Sequence, residues 1–303
     1  MTKTKTQRRK VSVSIIGAGR LGQALAIALQ SSGYPILALV ARRRQKAEKA
    51  AALLADTKLL PRALAANQLL ELPRTDLILI ATPDDAIAET ARTLAIFAVG
   101  HSRRTVLHTS GALSSEVLAP LAAVGFQTGS IHPLVSISEP VSGAEALRGA
   151  FYCLEGTRKA KLLAESIVRD LGGSSFSIKR ESKALYHAAA VMASPHLVAL
   201  FDLATELLAA CGLSKRNAQK VLVPLLESTV NNLKASNSRK ALTGTFARGD
   251  VATVRRHLNA LSRQELADAM AVYKLLGRRS VQLAEKNGLD PQLLDQIRKL
   301  LLR

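Results

Sequence analysis

A short apolar run near the start of the chain is followed by glycines at fixed spacing. Residues 11–16 read VSVSII, and residues 17–22 read GAGRLG, which has the form G-x-G-x-x-G. The run predicts a buried strand, and residues 21–32 predict a helix. In this context the first glycine permits a tight turn, the second lets the backbone approach a pyrophosphate, and the third lets the helix pack on the strand. The motif predicts a dinucleotide site formed by Gly17, Gly19, Arg20, Leu21 and Gly22.

The end of the second predicted strand, residues 36–41, distinguishes between two cofactors. NAD sites usually place an acid there, whereas this chain has Arg42, Arg43 and Arg44. Guanidinium groups suit a 2′-phosphate because they bind oxyanions through two parallel hydrogen bonds. We therefore expect NADP, with Arg42 and Arg43 as ligands. The alternative is a solvated basic turn.

Strand and helix patterns alternate through the first half of the chain and then change. The predicted strands cover residues 11–16, 36–41, 76–81, 105–108, 125–131 and 150–154. From residue 181 the patterns are helical, over 181–211, 215–232, 253–261, 264–286 and 290–302. This organisation predicts an α/β domain with a mostly parallel, doubly wound sheet, followed by an all-α domain. We expect a disordered basic tail over 1–10, the nucleotide-binding domain over 11–178, and a helical substrate and dimerisation domain over 179–303.

The chain is basic, with 42 Lys and Arg against 23 Asp and Glu and a formal net charge of +19. Such an excess is a feature of nucleic-acid-binding proteins. Here the charge is scattered, and aromatic residues, which stack on bases, make up only 3% of the chain. Specific nucleic-acid binding is therefore not expected, and some of the charge is expected to serve an anionic cofactor.

Cysteine usage and hydropathy indicate the compartment. Cys153 and Cys211 each lie in an apolar run without metal-ligand residues at close spacing, so we expect neither a disulfide framework nor a bound metal. A reducing compartment, the cytoplasm, fits best. The longest apolar stretch, residues 188–210, is interrupted by Pro195 and by polar and acidic residues. No membrane span is expected.

Polar residues follow three predicted strands of the sheet. Thr82 and Pro83 follow one strand, His108 and Ser110 the next, and His132 the one after. Because ligands of open α/β sheets lie off the carboxyl ends of the strands, Thr82 and Pro83 are expected beside the nicotinamide. Ser110 and His132 are predicted to contact substrate. Either histidine, His108 or His132, could instead be structural.

A second polar group opens the long helical half. Lys183, Tyr186 and His187 share a helix face, since they are spaced by three and four residues. Reduction of a carbonyl needs a hydride donor and a proton donor, and either Lys183 or His187 could supply the proton. Tyr186 is predicted to contact substrate. The alternative is a solvated helix start.

Acidic residues at two places have two interpretations each. Asp84 and Asp85 begin a predicted helix and are either acid–base groups or helix caps, of which capping is favoured. The polar loop over residues 242–250 contains Arg248, which is predicted to bind a substrate carboxylate, and Asp250, which orients it or caps the next helix. An ordinary loop between helices is the alternative.

The ordered set of motifs resembles a known family, the Rossmann-like oxidoreductases whose C-terminal half is domain of unknown function 2520. The matching stretches are IIGAGRLGQALA, LILIATPDDAI, LHTSGALSSEVL, IHPL, FYCLEG, KALYHAAAVMAS and LTGTFARGD. The family is similar in layout to pyrroline-carboxylate reductases, ketopantoate reductases and hydroxyisobutyrate-type dehydrogenases. The resemblance implies an N-terminal NADP-binding domain and a helical domain that often dimerises.

Three positions depart from what the resemblance implies. Hydroxyacid relatives pair a helix-borne Lys with an Asn four residues later, whereas Lys183 is followed by His187. Pro195 stands where the family usually has Asn, and it is expected to kink the helix. Thr245 stands where the family tends to have Pro.

The sequence predicts an NADPH-dependent oxidoreductase that transfers hydride to a small carbonyl or imine compound carrying a carboxylate. Two alternatives are ketopantoate reductase activity specifically and a non-catalytic NADP-binding protein. The apolar C-terminal helices predict a homodimer.

Overall fold

The computed structural model describes residues 9–54, 60–97 and 104–302. By their contacts the residues form two compact units, Met1–Ser194 and Pro195–Arg303. The expected boundary after residue 178 does not coincide with this division, because the helix that carries Lys183 belongs to the first unit. Most of the predicted basic tail, residues 1–8, lies outside the described residues.

The first unit contains an eight-stranded sheet in the order β3-β2-β1-β4-β5-β6-β7-β8. The strands are β1 (Val13–Ile16), β2 (Ile36–Ala41), β3 (Arg62–Ala65), β4 (Leu77–Ile80), β5 (Thr105–His108), β6 (Gln127–Pro133), β7 (Phe151–Gly156) and β8 (Ser174–Ser177). All neighbouring strands pair in parallel except β6 and β7, which are antiparallel. The mostly parallel sheet is therefore confirmed, and β3 and β8 are additions that the sequence patterns did not predict.

Helices cover both faces of this sheet. They are α1 (Arg20–Ser31), α2 (Arg44–Ala52), α3 (Asp84–Phe97), α4 (Ala119–Ala123), α5 (Pro140–Leu147) and α6 (Arg158–Asp170). The last helix of the unit, α7 (Lys183–Ala193), contributes no residue to the two cores of the sheet. Alternation along β4 shows why two layers are needed: Leu77 and Leu79 belong to the core under α1, α2, α5 and α6, while Ile78 and Ile80 belong to the core under α3 and α4. Strands buried on both faces are typical of parallel sheets.

The strand order reverses direction at β1, which positions the site. β1 pairs with β2 on one side and with β4 on the other, and Ile16 is in register with Val40 and Ile80. The carboxyl ends of these three strands therefore meet at one edge, where an open α/β sheet leaves a crevice for ligands. Gly17, Arg42 and Thr82 follow these ends.

The second unit is helical in its described residues. Its helices are α8 (Pro195–Ala210), α9 (Lys215–Ala235), α10 (Ser238–Ala241), α11 (Gly244–Arg248), α12 (Val251–Ala260), α13 (Ala267–Lys286) and α14 (Pro291–Leu302). Its core joins α12, α13 and α14 through residues such as Val254, Val281 and Ile297.

The single helix expected over residues 181–211 is wrong in detail. A short 3-10 turn over Arg180–Ser182 precedes α7, and α7 and α8 are separated at Ser194, which has φ −129° and ψ −82°. Pro195 explains the break, because its ring disfavours the helical conformation of the preceding residue. The predicted kink is confirmed.

One segment, Arg180–Ala210, has the length and apolar composition of a membrane-crossing helix, with a mean hydropathy of 1.4. It is not continuous, since the break at Ser194 divides it. Length and composition alone are weak grounds for a membrane span.

Candidate functional site

The turn between β1 and α1 has the geometry that its glycines predict. Gly17 has a φ of +109°, and a Cβ on it would lie 2.4 Å from the carbonyl carbon of Ala81. A Cβ on Gly22 would lie 1.9 Å from the carbonyl oxygen of Gly17. Both positions therefore require glycine, because α1 packs closely on the ends of β1 and β4. A Cβ on Gly19 would meet nothing within 4 Å among the described atoms, so the backbone there borders open space.

A cavity of about 350 Å³ extends from this turn to the end of β2. Arg42 and Lys46 line it, and no carboxylate does so in the described part of the chain. Arg43 precedes α2 without lining the cavity, and Arg44 pairs with Glu48 at 3.0 Å. Arg42, which the sequence predicted, therefore lines the cavity. Lys46 lines it as well, and the sequence reasoning missed this residue. The available signal was a cation in the first turn of the helix after β2.

Thr82 and Pro83, at the end of β4, line this cavity and a second one. The Thr82 hydroxyl oxygen is buried and has no hydrogen-bond partner among the described residues. Leaving a buried hydroxyl unpaired costs roughly 1–3 kcal/mol, so a ligand that supplies the partner gains from binding here. This hydroxyl and the open space beside Gly19 fit a dinucleotide that lies along the carboxyl edge of the sheet.

The second cavity has a volume of about 530 Å³ and continues to the ends of β5 and β6. Its lining includes Arg20, Leu21, Ser110, His132 and His187, all of which the sequence placed in the cofactor or substrate site. Two other predicted residues of α7, Lys183 and Tyr186, do not line it and lie behind its wall.

Ser110 is part of a fixed turn. Its hydroxyl donates to Asp84 Oδ2 at 2.8 Å and accepts from the backbone N–H groups of Ala112 and Leu113 at 3.1 and 3.0 Å. All of the hydrogen-bonding capacity of this hydroxyl is used inside the protein. The turn therefore does not favour direct recognition of substrate by the Ser110 hydroxyl, and that role stays a prediction. Asp84 begins α3 and is held by the same bond.

His108 is fully buried and serves the same turn. Its Nδ1 accepts from the backbone N–H of Ser110, and its Nε2 lies 3.2 Å from the carbonyl oxygen of Ser114. Burial, assisted by the charge of Lys183, lowers the pKa of His108 to about 4. The structural interpretation of this histidine therefore fits better than substrate contact.

His132 and His187 face each other across Gly111. Their ring centroids are 5.7 Å apart, with the planes at 82°. A Cβ on Gly111 would lie 2.4 Å from His187 Cδ2 and 2.8 Å from His132 Nε2, so only a hydrogen fits between the rings. Burial, with further contributions from Lys183 and His187, lowers the pKa of His132 to about 4. Nothing in the sequence indicates this close approach of two rings to Gly111.

Lys183 is 1% exposed. Its Nζ donates to the carbonyl oxygen of Ser110 at 3.1 Å and to Ser130 Oγ at 3.2 Å. Burial lowers the pKa of this lysine. The side chain therefore links α7 to the turn after β5 and to β6.

The remaining predicted residues belong to the second unit. Arg248 is the last residue of α11. Its assignment as the ligand of a substrate carboxylate stays a prediction. Asp250 accepts from the backbone N–H of Thr253 at 2.9 Å, which is the capping role. Thr245 lies within α11, and its carbonyl oxygen accepts from the backbone N–H of Asp250 at 3.1 Å.

The fold and the glycine turn together define a Rossmann-type dinucleotide-binding unit with a helical unit after it. Comparison with protein families agrees: residues 1–133 match the Rossmann-like domain, and residues 150–280 match DUF2520, a domain of unknown function. The chain therefore carries a Rossmann-like domain followed by a DUF2520 domain. No curated protein matches the sequence.

Solved structures share the fold at low identity. A protein of Bacteroides fragilis described as a candidate NADP oxidoreductase is 21% identical, with a TM-score of 0.72 over 90% of this chain and 98% of the other. A protein of Thermotoga maritima is 23% identical, with a TM-score of 0.69 over 91% and 99%. The 1-pyrroline-5-carboxylate reductase of Streptococcus pyogenes is 16% identical, with a TM-score of 0.60 over 96% and 99%.

Proposed function

We propose that the chain is an NADPH-dependent oxidoreductase that transfers hydride to a small, carboxylated carbonyl or imine compound. The observation that carries this proposal is that the two cavities share lining residues at the glycine turn and at the end of β4, namely Gly19, Ala81, Thr82 and Pro83. A dinucleotide along this groove has Arg42 and Lys46 at one end and His132 and His187 at the other. That arrangement joins a cofactor site to a site that contains two imidazole groups.

The preference for NADP is supported by charge. Arg42 and Lys46 line the first cavity in the region where an NAD site places an acid. Charge-assisted hydrogen bonds to a 2′-phosphate contribute roughly 1.5–3 kcal/mol, which corresponds to about a 10- to 150-fold preference over NADH.

Bound NADPH supplies the hydride, and the chain supplies a proton and the substrate site. The hydride adds to the carbonyl or imine carbon, the proton adds to its oxygen or nitrogen, and oxidised cofactor remains. His187, which borders the second cavity, is the proton donor that we propose. Lys183 holds the cavity wall through Ser110 and Ser130. Either the backbone of Ser110 and Gly111 or, alternatively, Arg248 stays the proposed ligand of a substrate carboxylate.

Cofactor titrations test the first part of the proposal. NADPH should bind about 10- to 150-fold more tightly than NADH. The double variant Arg42→Ala/Lys46→Ala should erase the difference. Arg44→Ala is the matched control, because this exposed arginine pairs with Glu48 and does not line the cavity. Equal affinity for both cofactors in the wild-type protein would contradict the assignment.

Turnover tests the second part. A panel of 2-oxo acids that includes ketopantoate, together with cyclic imine carboxylates, can be followed by the loss of NADPH absorbance. His187→Asn should lower turnover while leaving NADPH affinity nearly unchanged. Tight NADPH binding without turnover of any compound would favour the non-catalytic NADP-binding protein instead.

The proposed enzyme acts as a homodimer in the cytoplasm. On α8 and α9, Thr205 and Ala218 are the only buried residues, although both helices are rich in Leu and Val. Large apolar side chains such as Val198 and Leu225 are exposed, which supports a second subunit as their cover.

A further inference from the structure

His132 makes one short hydrogen bond behind the cavity wall. Its Nδ1 lies 2.7 Å from the hydroxyl oxygen of Tyr186, and the two rings are nearly perpendicular. The opposite edge of the imidazole, with Nε2 and Cε1, lies against Gly111 at the second cavity. One nitrogen of His132 is therefore occupied by Tyr186, whereas Nε2 lies beside Gly111 and has no hydrogen-bond partner among the described residues.

The direction of this bond follows from the partners available to Tyr186. Among the described residues, the only hydrogen bond of this hydroxyl is the one to His132, and burial raises the pKa of Tyr186, so the phenol keeps its proton. An unprotonated imidazole nitrogen is a strong acceptor. The phenol therefore donates to Nδ1. A neutral imidazole that accepts at Nδ1 carries its proton on Nε2.

Burial keeps the His132 ring neutral at ordinary pH and holds its pKa near 4. Lys183 from α7 adds to this effect, and a positive charge on His187 from α7 or on His108 from β5 would do so too. The ring is thus a hydrogen-bond donor at Nε2 and not a general acid, which leaves proton transfer to His187.

We propose that Tyr186 is a positioning residue that fixes His132 in the tautomer whose Nε2–H faces the second cavity. The site therefore accepts a carbonyl oxygen in preference to a protonated imine. This inference rests on the proposed function and narrows its substrate class. A carbonyl oxygen accepts the Nε2–H, and the bond strengthens as negative charge develops on that oxygen during hydride transfer. A protonated imine offers an N–H instead, so two donors would face each other.

The tautomer can be read without any substrate. ¹⁵N NMR of full-length protein labelled at histidine distinguishes protonated from unprotonated ring nitrogens, and His132→Gln identifies the signals of His132. We expect Nε2 to be protonated and Nδ1 to be an acceptor in the wild-type protein, and this order to be lost in Tyr186→Phe. Tyr273→Phe is the matched control, because Tyr273 makes the same bond to Nδ1 of His257, at 2.8 Å, in the second unit. It should leave the His132 signals unchanged.

Two results would overturn the proposal whether or not the protein reduces any compound: protonation of His132 at Nδ1 in the wild type, or an unchanged tautomer in Tyr186→Phe. Where turnover is found, Tyr186→Phe should lower kcat for a carbonyl substrate by about 10- to 100-fold, by analogy with the groups that orient metal-bound histidines. NADPH affinity should be unchanged. Faster reduction of a cyclic iminium carboxylate than of the matching 2-oxo acid would contradict the substrate preference.

Discussion

Gly111 offers a sharp test of the site because any side chain at this position would meet two imidazole rings. In Gly111→Ala the added Cβ would lie 2.4 Å from His187 Cδ2 and 2.8 Å from His132 Nε2. Carbon atoms in contact prefer about 3.5–4.0 Å, so one ring must move by roughly 1 Å. His132 is held by Tyr186 on its other side, and we therefore expect His187 to move.

Two magnitudes follow from this displacement. Overpacking of a closely packed region costs about 1–3 kcal/mol, which sets the expected loss in the free energy of unfolding. Misplacing a reacting group by about 1 Å costs about 100-fold in rate, which sets the expected loss in kcat/KM. NADPH affinity should change little, because the turn made by Gly17 and Gly22 is untouched.

Denaturant titration and steady-state kinetics measure these two quantities. Gly277→Ala serves as a control in the second unit, where a new Cβ would meet Leu301 and Phe246 at 3.0–3.2 Å without touching the site. The double variant Gly111→Ala/His187→Ala removes the ring that the methyl group strikes. It should recover most of the lost stability but none of the activity.

The reasoning is refuted if Gly111→Ala keeps both wild-type stability and wild-type turnover, since the two rings would then not be held as described. A double variant that is no more stable than Gly111→Ala would also contradict it, because the strain would then lie elsewhere.

Further predictions concern charge, assembly and the buried lysine. Acidification from pH 7 to about 4 should destabilise the fold, because His108 and His132 keep a pKa of about 4 when folded against an ordinary 6.5. Between these pH values the unfolded chain binds more protons than the folded one, and this difference lowers the free energy of unfolding by up to about 3 kcal/mol per histidine. Denaturant titrations at several pH values test this. Stability that is flat across this window would contradict it. Lys183→Ala should cost about 2–4 kcal/mol of stability and most of the turnover while leaving NADPH affinity nearly intact, whereas the exposed Lys179 tolerates the same change. Light scattering at micromolar concentration should give the mass of a dimer, and a monomer mass would count against the proposed assembly.

The sequence predicted the centre of the fold well and its edges poorly. β1, β2 and β4 are apolar runs that end at glycine, arginine and Thr-Pro signals, and all three were found. β8 was missed because Ser174–Ser177 reads as a turn: it is a polar, largely exposed edge strand, stabilised by backbone pairing with β7. β3 is only four residues long and carries one fully buried side chain, Leu64.

The sequence predicted which residues lie near the site, but not which of their side chains line the cavity and which are buried behind its wall. Strand ends identified Thr82, Ser110 and His132, because topology alone brings them to one edge of the sheet. Helical spacing placed Lys183 and His187 on one face, but it does not reveal that one is buried behind the cavity wall while the other lines it. Which side chain reaches the cavity depends on the distance between α7 and β6, and no local pattern encodes that distance.

The role of Gly111 was also beyond the sequence. Its constraint arises where rings from β6 and α7 converge, and these elements are distant along the chain. Lys46 is a milder case, since a cation at the start of the helix after β2 could have been considered alongside Arg42 and Arg43.

Lys183 is the only buried residue of α7, and this has a consequence for how the site opens. A helix held by so little buried surface is expected to detach without unfolding the sheet, so its backbone amides should exchange hydrogen for deuterium well before those of β1 and β4. Each opening would carry His187 and Tyr186 away from His132. A compound that bridges His132 and His187 should therefore slow exchange in α7 in proportion to its occupancy, while leaving exchange in the sheet unchanged.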